Sequence, residues 1–414
     1  MSKKVIVFRV GAFPVKSETF VTSQIITAIN LGYEVAILVD KINDIESSSQ
    51  KELIEKYNLL GRTAELKRIK VKGKVDRILK IFNILAKGAP VKSIGTFNYF
   101  KYGKNGLIGN LFLQLNELKE FMNADIFHIQ FGVYMYPLDL LKYHGLLKSR
   151  VLTTFHGFDV HYNELNKRKR ELFYQYLFRA GDLFTANTGY LAGQLADLGC
   201  PEERLKVIPV PIDTGYFKPK KVKKKNKVIK ILSVGRLVKW KGHEYGLRAV
   251  NELLEKGIKL EYHLVGEGEE RDSLMSLVND LGIQKNVFLH GARTQSEILD
   301  FMQSADIFLL TSTYDEGGRR ETQGVVTGEA QACGLPIVAF RSGGVPYTIL
   351  EGKTGLLSEE NDYKGLAENL EKLILNENIG KEMGKTGRQF IDKKYSLAVV
   401  SEIWERQYKM LLEH

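Results

Sequence analysis

Two glutamates, Glu321 and Glu329, stand eight residues apart in the stretch ETQGVVTGEAQACGLPIVA (residues 321–339), with Gly324 and Gly328 between them. A strand-like DIFLLTS and a charged, glycine-rich TYDEGGRRETQG come before them, so a helix is expected to begin near Gly324 or Val325. Desolvating an unpaired charge is costly, so a cleft carboxylate needs a partner, either a structural arginine or lysine or a ligand. The first amides of a helix carry unsatisfied donors and the positive end of its dipole, a natural seat for phosphate. Glu321 would lie in the loop beside that phosphate and Glu329 about a turn into the helix. Carboxylates accept hydrogen bonds from hydroxyls, so the pair suits a sugar on one side of a diphosphate and a ribose on the other. The plainer alternative is a capped surface helix with ordinary acidic residues. Against it stands Gly324, which costs helix stability unless a backbone must approach something.

A second cluster lies in SVGRLVKWKGHE, residues 233–244. A strand should end at Gly235, with Arg236 and Lys241 on the loop that follows. Ligands of open α/β sheets bind outside the carboxyl ends of the strands, where such a loop lies. A planar arginine fork and a lysine point charge suit a diphosphate, and Gly235 and Gly242 would let the backbone come close. The turn VGEGEERDSL has a Gly-x-Gly, but Arg271 replaces the third glycine of the dinucleotide fingerprint; a structural tight turn explains it at least as well as nucleotide contact.

The first half offers VLTTFHGFDVH, with Thr153, Thr154, His156 and Asp159 at a strand end. A histidine there can meet a ligand hydroxyl or be a satisfied structural residue, and the same holds for His128. GAFPVKSETF, residues 11–20, reads as another strand-to-helix loop, with Ser17 and Glu18 placed to cap the helix. No Asp-x-Asp pair occurs and the histidines and cysteines lack metal-ligand spacing, so no metal is expected to bridge a diphosphate. Arg236, Lys241 and a helix N-terminus would neutralise the leaving group instead.

These residues need elements to hold them. Apolar runs such as YEVAILV, DIFHIQF, LEYHLVG and LPIVAF alternate with amphipathic segments, which predicts an α/β architecture with parallel sheets. At 414 residues two domains are expected: two Rossmann-like, doubly wound domains facing each other across a cleft. They would span residues 1–210 and 211–395. The boundary region, residues 203–230, is proline-marked and carries seven lysines between Lys218 and Lys227, best read as a solvated linker. Residues 396–414 should form a terminal helix that crosses back to the first domain or caps its own.

The composition, 44% hydrophobic and 26% charged, is that of a soluble globular chain without a membrane-spanning run. Its start reads as a first strand rather than a secretory signal. Two distant cysteines, Cys200 and Cys333, fit a cytoplasmic location with reduced thiols. A net charge of +11 attracts polyanions without choosing among nucleic acid, anionic lipid and phosphorylated small molecules.

Taken together, GRLVKWKG, ETQGVVTGEAQACGLPIVA, TTFHGFDV, VGEGEER, GLPIVAFRSGGVPY and TGLL resemble the motifs of retaining glycosyltransferase family 4, which has the GT-B fold. The resemblance covers nearly the whole chain. It implies transfer of a sugar from a nucleotide-diphosphate donor, a UDP- or GDP-sugar, with retention at the anomeric carbon and without a cofactor or metal. Arg236 and Lys241 would hold the diphosphate, with the loop at Gly11 and Ala12 closing over it. Glu329 would bind the ribose. Glu321 would contact the transferred sugar, helped by the amides of Gly324 and Val325, and His156 would reach the sugar from the first domain. Front-face attack, in which the leaving phosphate takes the acceptor proton, needs no dedicated protein base. Tyr347 stands where the family usually has glutamate, and GAFPVKSETF replaces an early glycine pair. The SETF opening and the long TYDEGGRRE loop are similar to members that build bacterial surface and exopolysaccharides.

The acceptor is expected to be a saccharide or a polyprenyl-linked saccharide. Residues 66–92 pack seven basic residues between Lys67 and Lys80 ahead of an apolar stretch. That pattern fits equally a helix lying on the inner face of an anionic membrane or a variable surface excursion with snorkelling cations. Rival readings are a GT-B transferase acting on a soluble sugar and a basic α/β protein that binds membrane or nucleic acid; motifs clustered at strand ends weigh against the latter, and no nucleic-acid partner is expected.

Overall fold

Thirteen strands form two separate sheets in the computed structural model, which describes residues 3–16, 18–48, 50–88, 91–161, 166–220, 228–315 and 317–413. The first sheet contains β1 (Val5–Phe13), β2 (Glu34–Ile42), β3 (Thr63–Glu65), β4 (Ile126–Gln130), β5 (Arg150–Phe155), β6 (Leu183–Ala186) and β7 (Leu205–Val207). Their spatial order is β3-β2-β1-β4-β5-β6-β7. The second contains β8 (Ile229–Val234), β9 (Leu260–Val265), β10 (Val287–Leu289), β11 (Ile307–Leu310), β12 (Ile337–Phe340) and β13 (Gly355–Ser358), in the order β10-β9-β8-β11-β12-β13. All five pairings of the second sheet are parallel. So are β2–β3, β1–β2, β1–β4 and β4–β5 in the first.

In each sheet the chain starts in the middle, winds to one edge, returns and winds to the other. The reversal falls between β1 and β4 and between β8 and β11. Loops leaving the carboxyl ends of those strands diverge there and open a crevice, the usual ligand site of a doubly wound sheet. Helices cover both faces, so the central strands bury almost every residue: Ile126–Gln130 is buried throughout, as are Ile307–Leu310 and Ile337–Phe340. Core side chains such as Ile231, Leu247, Val250 and Leu309 are each worth about 1.5–3 kcal/mol of burial.

The chain divides into two compact units: Met1–Thr185 with Gln194–Lys206 and Glu405–His414, and Ala186–Gly193 with Val207–Trp404. The terminal helix Leu397–Glu413 therefore belongs to both. Within the first unit its Tyr408 is fully buried and meets Nδ1 of His128 through its hydroxyl at 2.9 Å.

Several local expectations need adjusting. β1 continues through Phe13, so Gly11 and Ala12 are strand residues and the loop begins only after them; Ala12 is paired with Lys41 of β2. Glu18 sits at the N-cap of the helix Thr19–Asn30 but its side chain makes no capping bond, and burial pushes its pKa up to about 7. Ser17 and residues 221–227 of the lysine run lie outside the described residues. Arg9, read only as part of an apolar strand, is fully buried, with its guanidinium donating to Asp40 at 2.7 Å and to the Val10 carbonyl at 2.5 Å. Cys200 and Cys333 are buried free thiols, each pushed up to about 12 by desolvation, as packing residues would be.

Candidate active site

In the second unit, the loop after β8 and the loop after β11 meet at the topological reversal. Gly242 adopts a left-handed backbone and lies against the Thr311 carbonyl. The Thr311 hydroxyl donates to the Lys241 carbonyl at 2.9 Å, and the Thr313 amide donates to the Trp240 carbonyl at 2.8 Å. These bonds bring the Lys241 ammonium onto the Glu321 carboxylate, with side-chain exposures of only 14% and 16%. The Ser312 hydroxyl donates weakly to the same carboxylate oxygen at 3.5 Å. Glu321 thus has a lysine for its partner, and that lysine is the one expected to bind diphosphate.

Arg236 is exposed at the end of the same strand, its guanidinium 5.9 Å from the Trp240 ring centre. Lys241 and Arg319 approach that ring at 4.4 and 5.3 Å, so three cations gather around one indole. His243 holds the loop from beneath: buried and kept neutral, its pKa lowered to about 4 by burial, it meets the Arg236 carbonyl through Nε2 at 3.2 Å. The Gly-x-Gly at Gly266 and Gly268 turns out to serve packing. A side-chain carbon on Gly268 would fall 2.2 Å from the Leu237 carbonyl, and the Leu237 amide donates to the Glu267 carbonyl at 2.9 Å.

The helix after Glu321 is Val325–Ala332, and Gly324 is its N-cap. The glycine there answers a backbone need rather than a close approach: its φ is +71°, and an added Cβ would find ordinary space. No side chain caps this helix and no acid lies in its first turn, which leaves its dipole uncompensated. Glu329, half-buried on the same helix, has no hydrogen-bond or ion-pair partner among the described residues, and burial pushes its carboxyl up to about 8. A carboxyl so placed can accept from the hydroxyls of a bound molecule, and its uncompensated desolvation is costly.

The Glu321 segment is held from two further sides within this unit. The Gly344 amide donates to the Glu321 carbonyl at 2.7 Å, and Gly344 itself is pressed against the Thr322 carbonyl so closely that a Cβ would lie 1.8 Å from it. The Thr188 hydroxyl donates to the Thr322 carbonyl at 2.7 Å, and the Asn187 amide donates to the Thr322 hydroxyl at 3.0 Å. Gln323, fully buried, exchanges hydrogen bonds with the backbone of Val210 at 2.8 and 2.9 Å. Tyr347 is half exposed, with its ring against Gly189.

In the first unit, His156 follows β5, half-buried, its ring 4.4 Å from Phe20 and 4.6 Å from Phe131. Its Nε2 meets the Gln130 side-chain oxygen at 2.9 Å, and burial lowers its pKa to about 3, so the ring is neutral. Asp159 fixes the loop by accepting from the amides of Gly132, His156 and Gly157 at 2.9, 3.1 and 2.8 Å. His128 belongs to the interior: its Nε2 meets the Thr154 hydroxyl at 2.8 Å, which in turn accepts from Thr185 at 2.8 Å. Gly11 lies under the Tyr134 ring, where any side chain would clash. Thus Arg236, Lys241, Glu321, Gly324, Val325 and Glu329 share the second unit, while Gly11, Ala12 and His156 lie in the first.

No motif or spacing marks Gln130, Asn187, Thr188, His243 or Gln323 as supports. Thr188 and Thr322, for example, are 134 residues apart, and only the strand order brings them together. Among the described residues no group of three histidine, cysteine or carboxylate side chains is placed to hold a metal ion.

Two family models match the chain one after the other: Glycosyltransferase Family 4 over residues 26–216 and Glycosyl transferases group 1 over residues 217–390. A relative from Escherichia coli K12 named for colanic acid biosynthesis, WcaL, is 32% identical over 86% of this chain and 87% of its own. The amylovoran biosynthesis glycosyltransferase AmsK of Erwinia amylovora is 30% identical over the same shares, 86% and 87%. Among solved structures, a glycosyltransferase from Rickettsia africae superposes with a TM-score of 0.74 at 19% identity over 100% of both chains. Anabaena HepE in complex with UDP and glucose gives 0.70 at 14% identity, covering 99% of this chain and 100% of that one. The chain belongs to glycosyltransferase family 4: it is a glycosyltransferase with the two-domain α/β GT-B fold.

Proposed function

We propose that the protein transfers a sugar from a nucleotide-diphosphate donor, a UDP- or GDP-sugar, to a saccharide or polyprenyl-linked saccharide acceptor in the assembly of a surface polysaccharide, with retention at the anomeric carbon. The observation that carries this reading is the contact of Lys241 with Glu321 at the ends of β8 and β11, beside the uncapped helix Val325–Ala332. A diphosphate placed there would meet Lys241, Arg236 and the amides at Gly324 and Val325. These groups stabilise negative charge where it develops on the leaving group, and no metal is assigned to the step. Glu329 accepts from the ribose hydroxyls and Glu321 from the transferred sugar. His156 serves the sugar as a neutral hydrogen-bonding group, and the loop that follows Gly11 and Ala12 closes over the diphosphate. The bond from the anomeric carbon to the diphosphate oxygen breaks, the acceptor oxygen bonds on the same face, and its proton passes to the departing phosphate.

The relatives named for colanic acid and amylovoran biosynthesis support an acceptor in polysaccharide assembly. A cytoplasmic location, peripheral at an anionic membrane surface, goes with a lipid-linked acceptor. Calorimetric titration of UDP, GDP and ADP without metal into the wild type and Lys241→Ala tests the site. Micromolar binding of one nucleotide, weakened tenfold or more in the variant, is the expected result (about 1.4 kcal/mol or more). Equal binding by both proteins, or none by either, would refute the placement of the diphosphate.

A further inference from the structure

The helix Lys74–Ala86, in the first unit, has no buried residue, although more than half of its residues are apolar. Ile81 approaches Gly109 beside Phe97, and the Arg77 guanidinium donates to the Ile108 carbonyl at 3.2 Å, so this side rests on the protein. Its other side leaves Val75, Ile78, Leu79 and Phe82 at 72%, 66%, 63% and 71% exposure. These positions, i, i+3, i+4 and i+7, form one continuous apolar stripe. Phe100, on the next helix, is 99% exposed.

Around the stripe the charge is almost all of one sign. Residues 66–88 contain Lys67, Arg68, Lys70, Lys72, Lys74, Arg77, Lys80 and Lys87 against a single acid, Asp76. Asp76 is already taken by Lys80 at 2.7 Å. Lys67, Lys70, Lys72, Lys74 and Lys87 make no ion pair among the described residues. We propose that this face docks on an anionic lipid bilayer, with Val75, Ile78, Leu79 and Phe82 entering the headgroup boundary and the lysines meeting lipid phosphates. Charge complementarity selects this occupant. A second copy would bring the same cations against each other, and four side chains on a convex helix fall well short of the roughly 1,000 Å² that a stable protein interface buries. A bilayer needs no matching groove, and lysine stems snorkel to keep their ammonium groups at the phosphates. The inference gives the proposed lipid-linked acceptor a surface to be met on, yet its test needs neither donor nor acceptor, so its failure would leave the transferase reading untouched.

The test is co-sedimentation of the full-length protein with vesicles of phosphatidylcholine alone and with about a third phosphatidylglycerol. Two double variants accompany the wild type: Leu79→Asp with Phe82→Asp, and Lys72→Glu with Lys74→Glu. All four side chains are exposed, and unchanged thermal unfolding checks that each variant folds. Wild type should partition onto the anionic vesicles only, and each double variant about tenfold or more weakly. Three results would each overturn the proposal: equal binding to neutral vesicles, no loss in either variant, or no vesicle binding at all. A wild-type dimer that Leu79→Asp with Phe82→Asp dissolves would assign the face to a second copy instead.

Discussion

The ammonium group of Lys241 is held by the carboxylate of Glu321, 80 residues further along the chain, with both side chains largely shielded from water. Under the proposed function this pair is a resting state. A diphosphate competes with Glu321 for the lysine, and the carboxylate it displaces becomes available to the sugar carried by that same diphosphate. Recognition of the nucleotide end and of the sugar end are thereby coupled through one ion pair.

Glu321→Gln separates the two roles. Removing the competing charge should leave the affinity for UDP or GDP unchanged or raise it up to about tenfold, while turnover falls by roughly 10²–10³. Calorimetry and steady-state kinetics on one preparation read both quantities. A parallel fall in nucleotide affinity and turnover would mean that Glu321 holds the nucleotide rather than competing for its lysine.

Glu329 should tax the unliganded protein as pH rises. Its folded pKa is raised from 4.5 to about 8 by burial, so folding favours the protonated form. The contribution to stability is complete below pH 4.5 and is lost as pH rises toward 8. Glu329→Gln cannot ionise. Its melting temperature should exceed that of wild type at pH 8–9, converge with it near pH 4, and come with at least about tenfold weaker nucleotide binding. Identical melting curves at both pH values would show that the carboxyl is solvated after all.

His156→Ala should lower kcat by about 10²-fold and leave the dissociation constant for free nucleoside diphosphate within about twofold, since Arg236, Lys241 and Glu329, the groups proposed to hold the nucleotide, lie in the second unit. With its pKa near 3, the wild-type imidazole is neutral throughout the working range. The pH–rate profile of wild type should therefore carry no limb from His156 between about pH 5 and 8. A limb in that window that vanishes in His156→Gln would contradict the neutral role.

Gly344→Ala tests how firmly the Glu321 segment is held. The new methyl would lie 1.8 Å from the Thr322 carbonyl, so one backbone must shift, at about 1–3 kcal/mol. Gly324→Ala meets no obstacle but must hold a left-handed backbone, at about 1–2 kcal/mol. Thermal unfolding should register both changes, and the substitution at Gly344 should weaken nucleotide binding as well because it displaces Glu321.

Much of this was legible because the doubly wound plan writes itself as apolar runs broken by glycine, and Arg236, Lys241, Glu321 and Glu329 stand at those breaks. A helix expected to begin near Gly324 or Val325 does begin at Val325 with Gly324 as its N-cap, and the glycine serves a left-handed backbone rather than a close approach. What stayed hidden depends on strand order. Nothing in GRLVKWKG says that Thr311 will bond the Lys241 carbonyl, because β8 and β11 are neighbours only once β9 and β10 have wound away from them. Gln130 lies on a fully buried strand where no motif singles it out, yet it orients His156. Residues 11–13 were expected to be loop because the apolar run breaks at Gly11, but pairing with β2 extends the strand to Phe13.

One feature of the chain path bears on the order of events during synthesis. The first unit takes its buried Tyr408, and the hydroxyl that satisfies His128, from residues that leave the ribosome after the entire second unit. Domains usually fold in the order in which they emerge. Here the N-terminal sheet must wait with a polar histidine unsealed in its interior while some 200 further residues are made. The nascent first unit is therefore the vulnerable species, and the second is the one that can complete itself first.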